Sequence, residues 1–196
     1  MSEGTAAIFT LTANPAPAGS LSVAVTVAQS GDYAAAVAVG SKTVTIPTGG
    51  TATYSVSTVD DSSDEANGSV SVTVNSGTGY TVGSTATATV AVSDDDVPEV
   101  SVAAGSGVSE GTAASFTLTA NPAPAAALSV AVTVAQTGDY ATAGAVGSKT
   151  VTIPSSGTAT TTVSTVDDST DEADGSVSVT VNTGTGYRWA VRPPPA

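Results

Sequence analysis

Apolar and small polar residues alternate along most of this chain with a period of two. Phe9 and Leu11 alternate with threonine, and Leu21, Val23, Val25 and Val27 form a second run. Val44 and Ile46 make a short third run, and Ala52, Tyr54 and Val56 a fourth. Val70, Val72 and Val74 follow, then Ala86, Ala88, Val90 and Val92, then Val100 and Val102. A period of two puts every second side chain on one face of a strand. The serines and threonines between them suit the solvent face of a pleated sheet. Val59 falls out of phase with the fourth run, which predicts a bulge near Ser57-Thr58. Turn signals separate the runs: Asn14-Pro15-Ala16-Pro17, Ser30-Gly31-Asp32, Pro47-Thr48-Gly49-Gly50, Asn67-Gly68 and Ser76-Gly77-Thr78-Gly79.

The pattern then repeats. Residues 2–80 align without a gap to residues 109–187 at a constant offset of 107, with 13 differences in 79 positions. A unit of this length is large enough to own a core, so it is a domain rather than a solenoid turn. Seven or so short strands in about a hundred residues, with no helical period, predict an all-β fold of immunoglobulin-like β-sandwiches. The expected domains are residues 1–97, a first repeat lacking its initial strand, and residues 98–187, a second repeat lacking its final strand. The first repeat has no counterpart of Val100-Ser101-Val102, and the second none of residues 86–92. Each is therefore expected to expose a sheet edge. Residues 188–196 match nothing in the first repeat. A DNA stretch for residues 81–88, read one base out of frame, can encode Arg-Trp-Ala-Val-Arg-Pro-Pro-Pro. This tail, with both arginines and the single Trp, is expected to be a frameshift product without a function of its own.

Charge sharpens the picture. The chain carries 17 acidic and 4 basic residues and no His, a formal net charge of −13. No nucleic-acid partner is expected, because the basic footprint is missing. No Lys/Arg cluster exists to meet an anionic membrane, and no stretch is apolar and long enough to span one, so direct membrane insertion is not expected. There is no Cys, which removes thiolate chemistry and disulfides. Met1-Ser2-Glu3 leads straight into a strand pattern, so an export signal is expected outside this stretch. Paired carboxylates can hydrolyse glycosides, but only in a cleft with substrate-binding aromatics, and aromatics are 4% here. With no His for a triad and no phosphate loop, the chain is read as not an enzyme.

The carboxylates are confined to turns. They are Glu3, Asp32, Asp60, Asp61, Asp64, Glu65, Asp94, Asp95, Asp96 and Glu99, then Glu110, Asp139, Asp167, Asp168, Asp171, Glu172 and Asp174. Charge serving only solubility would be spread along the strand faces. A sandwich brings alternate turns to one end, where clustered carboxylates repel and take up protons unless a cation intervenes. Calcium takes six to eight oxygen ligands and fits such a set; magnesium demands a stricter octahedron. Without His or Cys, zinc and copper are poor candidates. The cofactor expected is therefore Ca2+. Each position also has a plainer reading. Residues 94–96 read as a solvated acidic linker, Asp60, Asp61 and Glu65 as a self-bonded turn, Asp32 and Asp139 as Gly-Asp turns, and Glu3 and Glu110 as exposed strand starts. Tyr33, Tyr80, Tyr140 and Tyr187 read as core or corner aromatics.

In combination and order, Val108-Ser109-Glu110-Gly111-Thr112, Gly31-Asp32-Tyr33, Val59-Asp60-Asp61 with Glu65, and Val92-Ser93-Asp94-Asp95-Asp96 resemble the Calx-beta domain family. That family occurs in sodium/calcium exchangers, an integrin subunit and very large bacterial surface proteins. The resemblance covers all but the tail. It implies metal ligation by Glu3, Asp32, Asp60, Asp61, Glu65, Asp94, Asp95 and Asp96 in the first repeat. In the second it implies Glu110, Asp139, Asp167, Asp168 and Glu172, with no acidic triplet. It also implies a backbone carbonyl ligand between the Asp pair and the Glu. The family often has a further acid three residues after the Glu, where this chain has Gly68 and Gly175, so fewer or weaker ions are expected.

The function expected is a calcium-rigidified extender or adhesion module of a large cell-surface or secreted protein. Its partners are calcium ions, neighbouring repeats of the same chain and, through the parent protein, a host or matrix surface. Two alternatives stay open: a calcium-sensing regulatory module of a membrane protein, and a metal-independent Ser/Thr-rich spacer. Near-identical repeats favour a spacer over a sensor.

Overall fold

The computed structural model describes residues 1–171 and 173–189. Thirteen strands and no helix occur among them, so no helix among the described residues is long and apolar enough to cross a membrane. The chain divides into two compact units, Met1–Asp95 and Asp96–Ala196.

The first unit holds β1 (Ala6–Thr12), β2 (Leu21–Ser30), β3 (Gly40–Ile46), β4 (Thr51–Ser57), β5 (Gly68–Val74) and β6 (Thr87–Val92). β1 and β4 form one antiparallel sheet, and the order β3-β2-β5-β6 forms the other. Alternate residues of both sheets point inward: Phe9, Leu11 and Val56 from the first meet Val23, Val25, Val44, Val70 and Val92 from the second. Each such valine, fully buried, contributes about 1.5–3 kcal/mol. The result is the all-β, immunoglobulin-like sandwich.

The second unit holds β7 (Glu99–Ala104), β8 (Ala114–Asn121), β9 (Leu128–Thr137), β10 (Gly147–Ile153), β11 (Thr158–Val163), β12 (Ser176–Val181) and β13 (Arg188–Trp189). Its sheets are β11-β8-β7-β13 and β10-β9-β12. The edges differ from those of the first unit. β8 lies between β11 and β7, whereas its repeat-mate β1 pairs with β4 alone. β5 lies between β2 and β6, whereas its repeat-mate β12 pairs with β9 alone among the described residues. The first two residues of the tail, Arg188 and Trp189, run parallel to Glu99 and Val100 as β13. The rest of the tail lies outside the described residues.

The bulge expected at Ser57-Thr58 does not occur. The β1–β4 register holds through Thr58, whose N–H donates to Thr5 C=O; beyond it the ladder turns irregular, with Val59 N–H donating to Tyr33 C=O while Val59 C=O accepts Gly4 N–H. Thr58 takes the inward position and is buried, and its hydroxyl is satisfied by donating to the Thr5 carbonyl. Val59 therefore points outward. A β-branched polar residue with a local acceptor can fill an inward slot, which period-two counting of apolar residues does not register.

The tyrosines tie turns to strands. Tyr80 OH donates to Asn75 C=O and accepts Ala24 N–H, and Tyr187 OH does the same with Asn182 and Ala131.

Leu118 is 0% exposed on β8, while Ile8 on β1 is 63% exposed. Leu118→Ala is expected to lower the stability of the second unit by about 2–5 kcal/mol through lost transfer energy and a cavity. Ile8→Ser, which copies the residue at position 115, should change the first unit by less than about 0.5 kcal/mol. Urea denaturation of each variant measures both; equal effects would contradict this assignment of core and surface.

Candidate metal centre

One end of the first unit gathers carboxylates from three distant stretches of chain. Residues 1–3 run beside the end of β6: Ser93 N–H donates to Met1 C=O at 2.8 Å, and Glu3 N–H to Ser93 C=O at 3.1 Å. The next residue, Gly4, has φ +69°, and its N–H reaches Val59 C=O at 3.0 Å. A Cβ on Gly4 would sit 2.8 Å from Asp60 Cβ, so the turn needs glycine on grounds of both conformation and space. This close approach brings Glu3 against Asp60. Asp95, just past β6, completes the group.

Glu3, Asp60 and Asp95 each offer a carboxylate oxygen, and the three oxygens lie within 4.8 Å of one another. Asp60 and Asp95 are exposed, whereas Glu3 is only 5% exposed. Asp61 also offers an oxygen within 4.8 Å of one on Glu3. Its Oδ1 accepts the Ser63 N–H at 2.7 Å, an Asx turn that fixes the side chain's direction.

The remaining acids of this end share a second neighbourhood, around Tyr33. Tyr33 is buried, and its hydroxyl donates to Ala66 C=O at 2.9 Å. Burial, then the charges of Asp94, Glu65, Glu3 and Asp61, push the Tyr33 hydroxyl above its ordinary pKa. Glu65 is half-buried; loss of solvent, then the charges of Asp61, Asp32 and Asp94, push its carboxyl up as well. Asp32 is exposed and Asp94 half-buried. The Asp94 N–H donates to Asn67 Oδ1 at 2.9 Å. Asn67 thus holds the start of the acidic run, a positioning contact that its reading as a turn residue did not reveal. Asp96 is the first residue of the second unit.

Gly68 has its own physical reason. A Cβ there would collide with Ser30 C=O and the Tyr33 ring. An acidic side chain at this position is excluded by the packing of Tyr33, and Gly175 is held in the same way by Thr137 and Tyr140.

The second unit repeats the turns without gathering the group. Gly111 has φ +74°, its N–H meets Val166 C=O, and a Cβ added to it would sit 2.8 Å from Asp167 Cβ, as one on Gly4 would from Asp60 Cβ. Asp168 Oδ1 accepts the Thr170 N–H at 2.7 Å. Yet Glu110, Asp139, Asp167 and Asp168 are all exposed, and no acidic cluster with ligand spacing forms among the described residues of this unit. Glu172 lies outside the described residues. The missing contribution is the one made by Ser93 and Asp95 in the first unit, since no described strand follows β12 in its sheet.

No family model matches the chain, and no curated protein matches it. Among solved structures it is similar to the crystal structure of calcium binding domain CBD12 of CALX1.1, at 16% identity and a TM-score of 0.41, covering 90% of this chain and 74% of that one. It is also similar to CBD12 from CALX1.2, at 16% identity and a TM-score of 0.39, covering 83% of this chain and 70% of that one. At these values the likeness bears on neither the site nor an activity.

Two outcomes follow from this geometry. Gly4→Ala should destabilise the first unit by at least ~1 kcal/mol, from the left-handed backbone alone. Gly83→Ala, where an added Cβ meets nothing within 4 Å, should be near neutral. Similar urea midpoints for the two variants would refute the tight Gly4–Asp60 approach. In chelator, the folded state holds the Glu65 proton more tightly than the unfolded chain does. Its contribution to stability is therefore full below the ordinary value of 4.5 and is lost as pH rises through the raised one. Stability of the metal-free first unit should fall over that window, and Glu65→Gln should flatten the slope; an unchanged slope in the variant assigns the effect elsewhere.

Proposed function

We propose that this chain is a calcium-binding structural repeat that acts as an ion-stiffened extender within a large cell-surface or secreted protein. The observation that carries the reading is the buried Glu3 carboxylate held beside Asp60 and Asp95. Three acids from segments far apart in sequence, one of them inside the protein, make an arrangement that folding alone disfavours. A divalent cation turns the same arrangement into a favourable one.

Calcium suits the donor set. Its oxygen ligands lie at about 2.3–2.6 Å, so oxygens sharing one ion are at most about 5 Å apart. The carboxylate oxygens here fall within that spread. All three side chains are hard oxygen donors, and the sequence contains neither His nor Cys to favour a softer metal. Glu3 and Asp60 would supply ligands from the body of the unit, and Asp95 from the segment leaving it. Asp61, Asp94, Glu65 and Asp32 are the further acids at this end. Bound, the ion would supply charge neutralisation and a fixed link between the body and the departing chain.

That link explains the extender role. Residues 94–95 are where the chain leaves the first unit. Tying Asp95 to Glu3 and Asp60 removes freedom from that exit, and neighbouring repeats of the chain are then held rather than tethered. Near-identity of the repeats, with 13 differences in 79 positions, fits a mechanical part used in series. Extracellular calcium modules bind at about 10⁻⁴–10⁻³ M, a range matched to a cell-surface or secreted setting. Contact with a host or matrix surface would be made by the parent protein. No catalytic step is assigned to the chain.

The test is thermal unfolding in millimolar calcium and in chelator. Calcium should raise the melting temperature of the first unit, by about 2.7 kcal/mol of stability at a hundredfold excess over Kd. Glu3→Gln should abolish most of that gain while leaving the chelator curve unchanged or slightly raised, because it removes a repelling charge. Superimposable curves with and without calcium would sink the proposal and leave a metal-independent spacer.

A further inference from the structure

β5 and β12 are the same strand in two surroundings. Residues 68–74 and 175–181 both read Gly-Ser-Val-Ser-Val-Thr-Val. Each pairs on one side with the long strand of its sheet, β2 or β9. On its other side β5 carries β6, from Gly68↔Val92 to Thr73↔Thr87. No described residue pairs with that side of β12.

The side chains register the difference. Val70 is 0% exposed, while its repeat-mate Val177 is only half-buried. Tyr33 is 1% exposed, while Tyr140 is half-buried. Glu3 is buried, while Glu110 is exposed. A groove of about 840 Å³ opens at this place in the second unit, and Glu110, Phe116, Tyr140, Gly175 and Val177 line it. In the first unit Phe9, Tyr33 and Val70 share a core with Val92, which pairs with Gly68, and Glu3 bonds to Ser93. The groove is therefore the imprint of the end of β6 in a unit where no described residue fills it.

We infer that this groove is an acceptor for an extended segment with the chemistry of β6 and its acidic continuation. The occupant is a stretch alternating Ala, Thr and Val and ending in consecutive aspartates, supplied by another chain that bears the same repeat. It adds antiparallel to β12 in the register of the β5–β6 pair, its Val92 opposite Gly175 and its Val90 opposite Val177. Backbone hydrogen bonds to a bare edge give the affinity, and the valine positions give the register. The aspartates then lie beside Glu110 and Asp167, so like charge opposes docking until a cation joins them. This cation dependence rests on the calcium reading above; the strand pairing does not.

The experiment titrates a labelled synthetic peptide of residues 84–97 into the full chain, in calcium and in chelator, by fluorescence anisotropy. Saturable one-to-one binding is expected, with slowed amide exchange along β12 and affinity on the order of tenfold higher in calcium. A peptide carrying Val90→Asp and Val92→Asp should bind in neither condition. A peptide with Asp94, Asp95 and Asp96 changed to Asn should bind but lose the calcium enhancement. No saturable binding of the unmodified peptide overturns the acceptor, whether or not calcium stabilises the first unit. So does undiminished binding of the Val→Asp peptide. Equal binding in calcium and chelator upholds the acceptor and overturns the cation's part in it.

Discussion

The acidic end of the first unit depends on a two-bond backbone contact, Ser93 N–H to Met1 C=O and Glu3 N–H to Ser93 C=O. That contact carries a glutamate into the protein at the one place where other acids also converge. Gly4 then turns the chain in a conformation open to glycine, and the turn lays Glu3 against Asp60. The glutamate so placed is buried, with carboxylate oxygens of Asp60 and Asp95 at ligand spacing. Glu65, whose charge also acts on Tyr33, has its own carboxyl pushed up by loss of solvent and then by the charges of Asp61, Asp32 and Asp94. The β-sandwich supplies the force that holds these groups together. Its valine core makes the turns converge regardless of what they carry, so the energetic conflict stays concentrated at one pole.

The two repeats act as a controlled comparison. Their Glu-Gly turns, Asp-Asp pairs and Gly-Asp-Tyr turns have nearly the same sequence and the same local hydrogen bonds. Among the described residues, only the first repeat has a strand running out beyond β5, and only there is the glutamate buried and the ligand-spaced group formed. Local sequence thus builds the half-sites, and sheet topology decides whether they are joined. Burial of one carboxylate is in this sense a tertiary property, set across some ninety residues of chain.

This distinction separates what was legible in the sequence from what was not. The inward sets on β2, β5 and β9 follow from strict alternation, because those strands face one core and one solvent layer. The confinement of acids to turns was equally plain. Thr58 was not, since its inward place is allowed by an acceptor on Thr5, a partner from another strand. The depth of Glu3 was hidden for the same reason, and a glutamate at a strand start looks like any exposed one. Gly68 looked like a lost ligand; it is instead the floor on which the Tyr33 ring rests. Arg188 and Trp189 carry no repeat pattern, yet they find the edge of β7, because an unpaired edge accepts backbone of almost any sequence.

The outward faces of the strands are hydroxyl-rich and nearly free of charge, as in the Thr-Ala-Thr and Ser-Val-Ser stretches of β4 and β5. Colloidal repulsion between molecules therefore falls almost entirely to the turns. An ion that gathers those carboxylates also discharges the groups that keep copies apart. Under the proposed calcium reading, the ion that stiffens each molecule would also let the flanks of neighbours approach, so that bundling and bending stiffness rise together from one binding event.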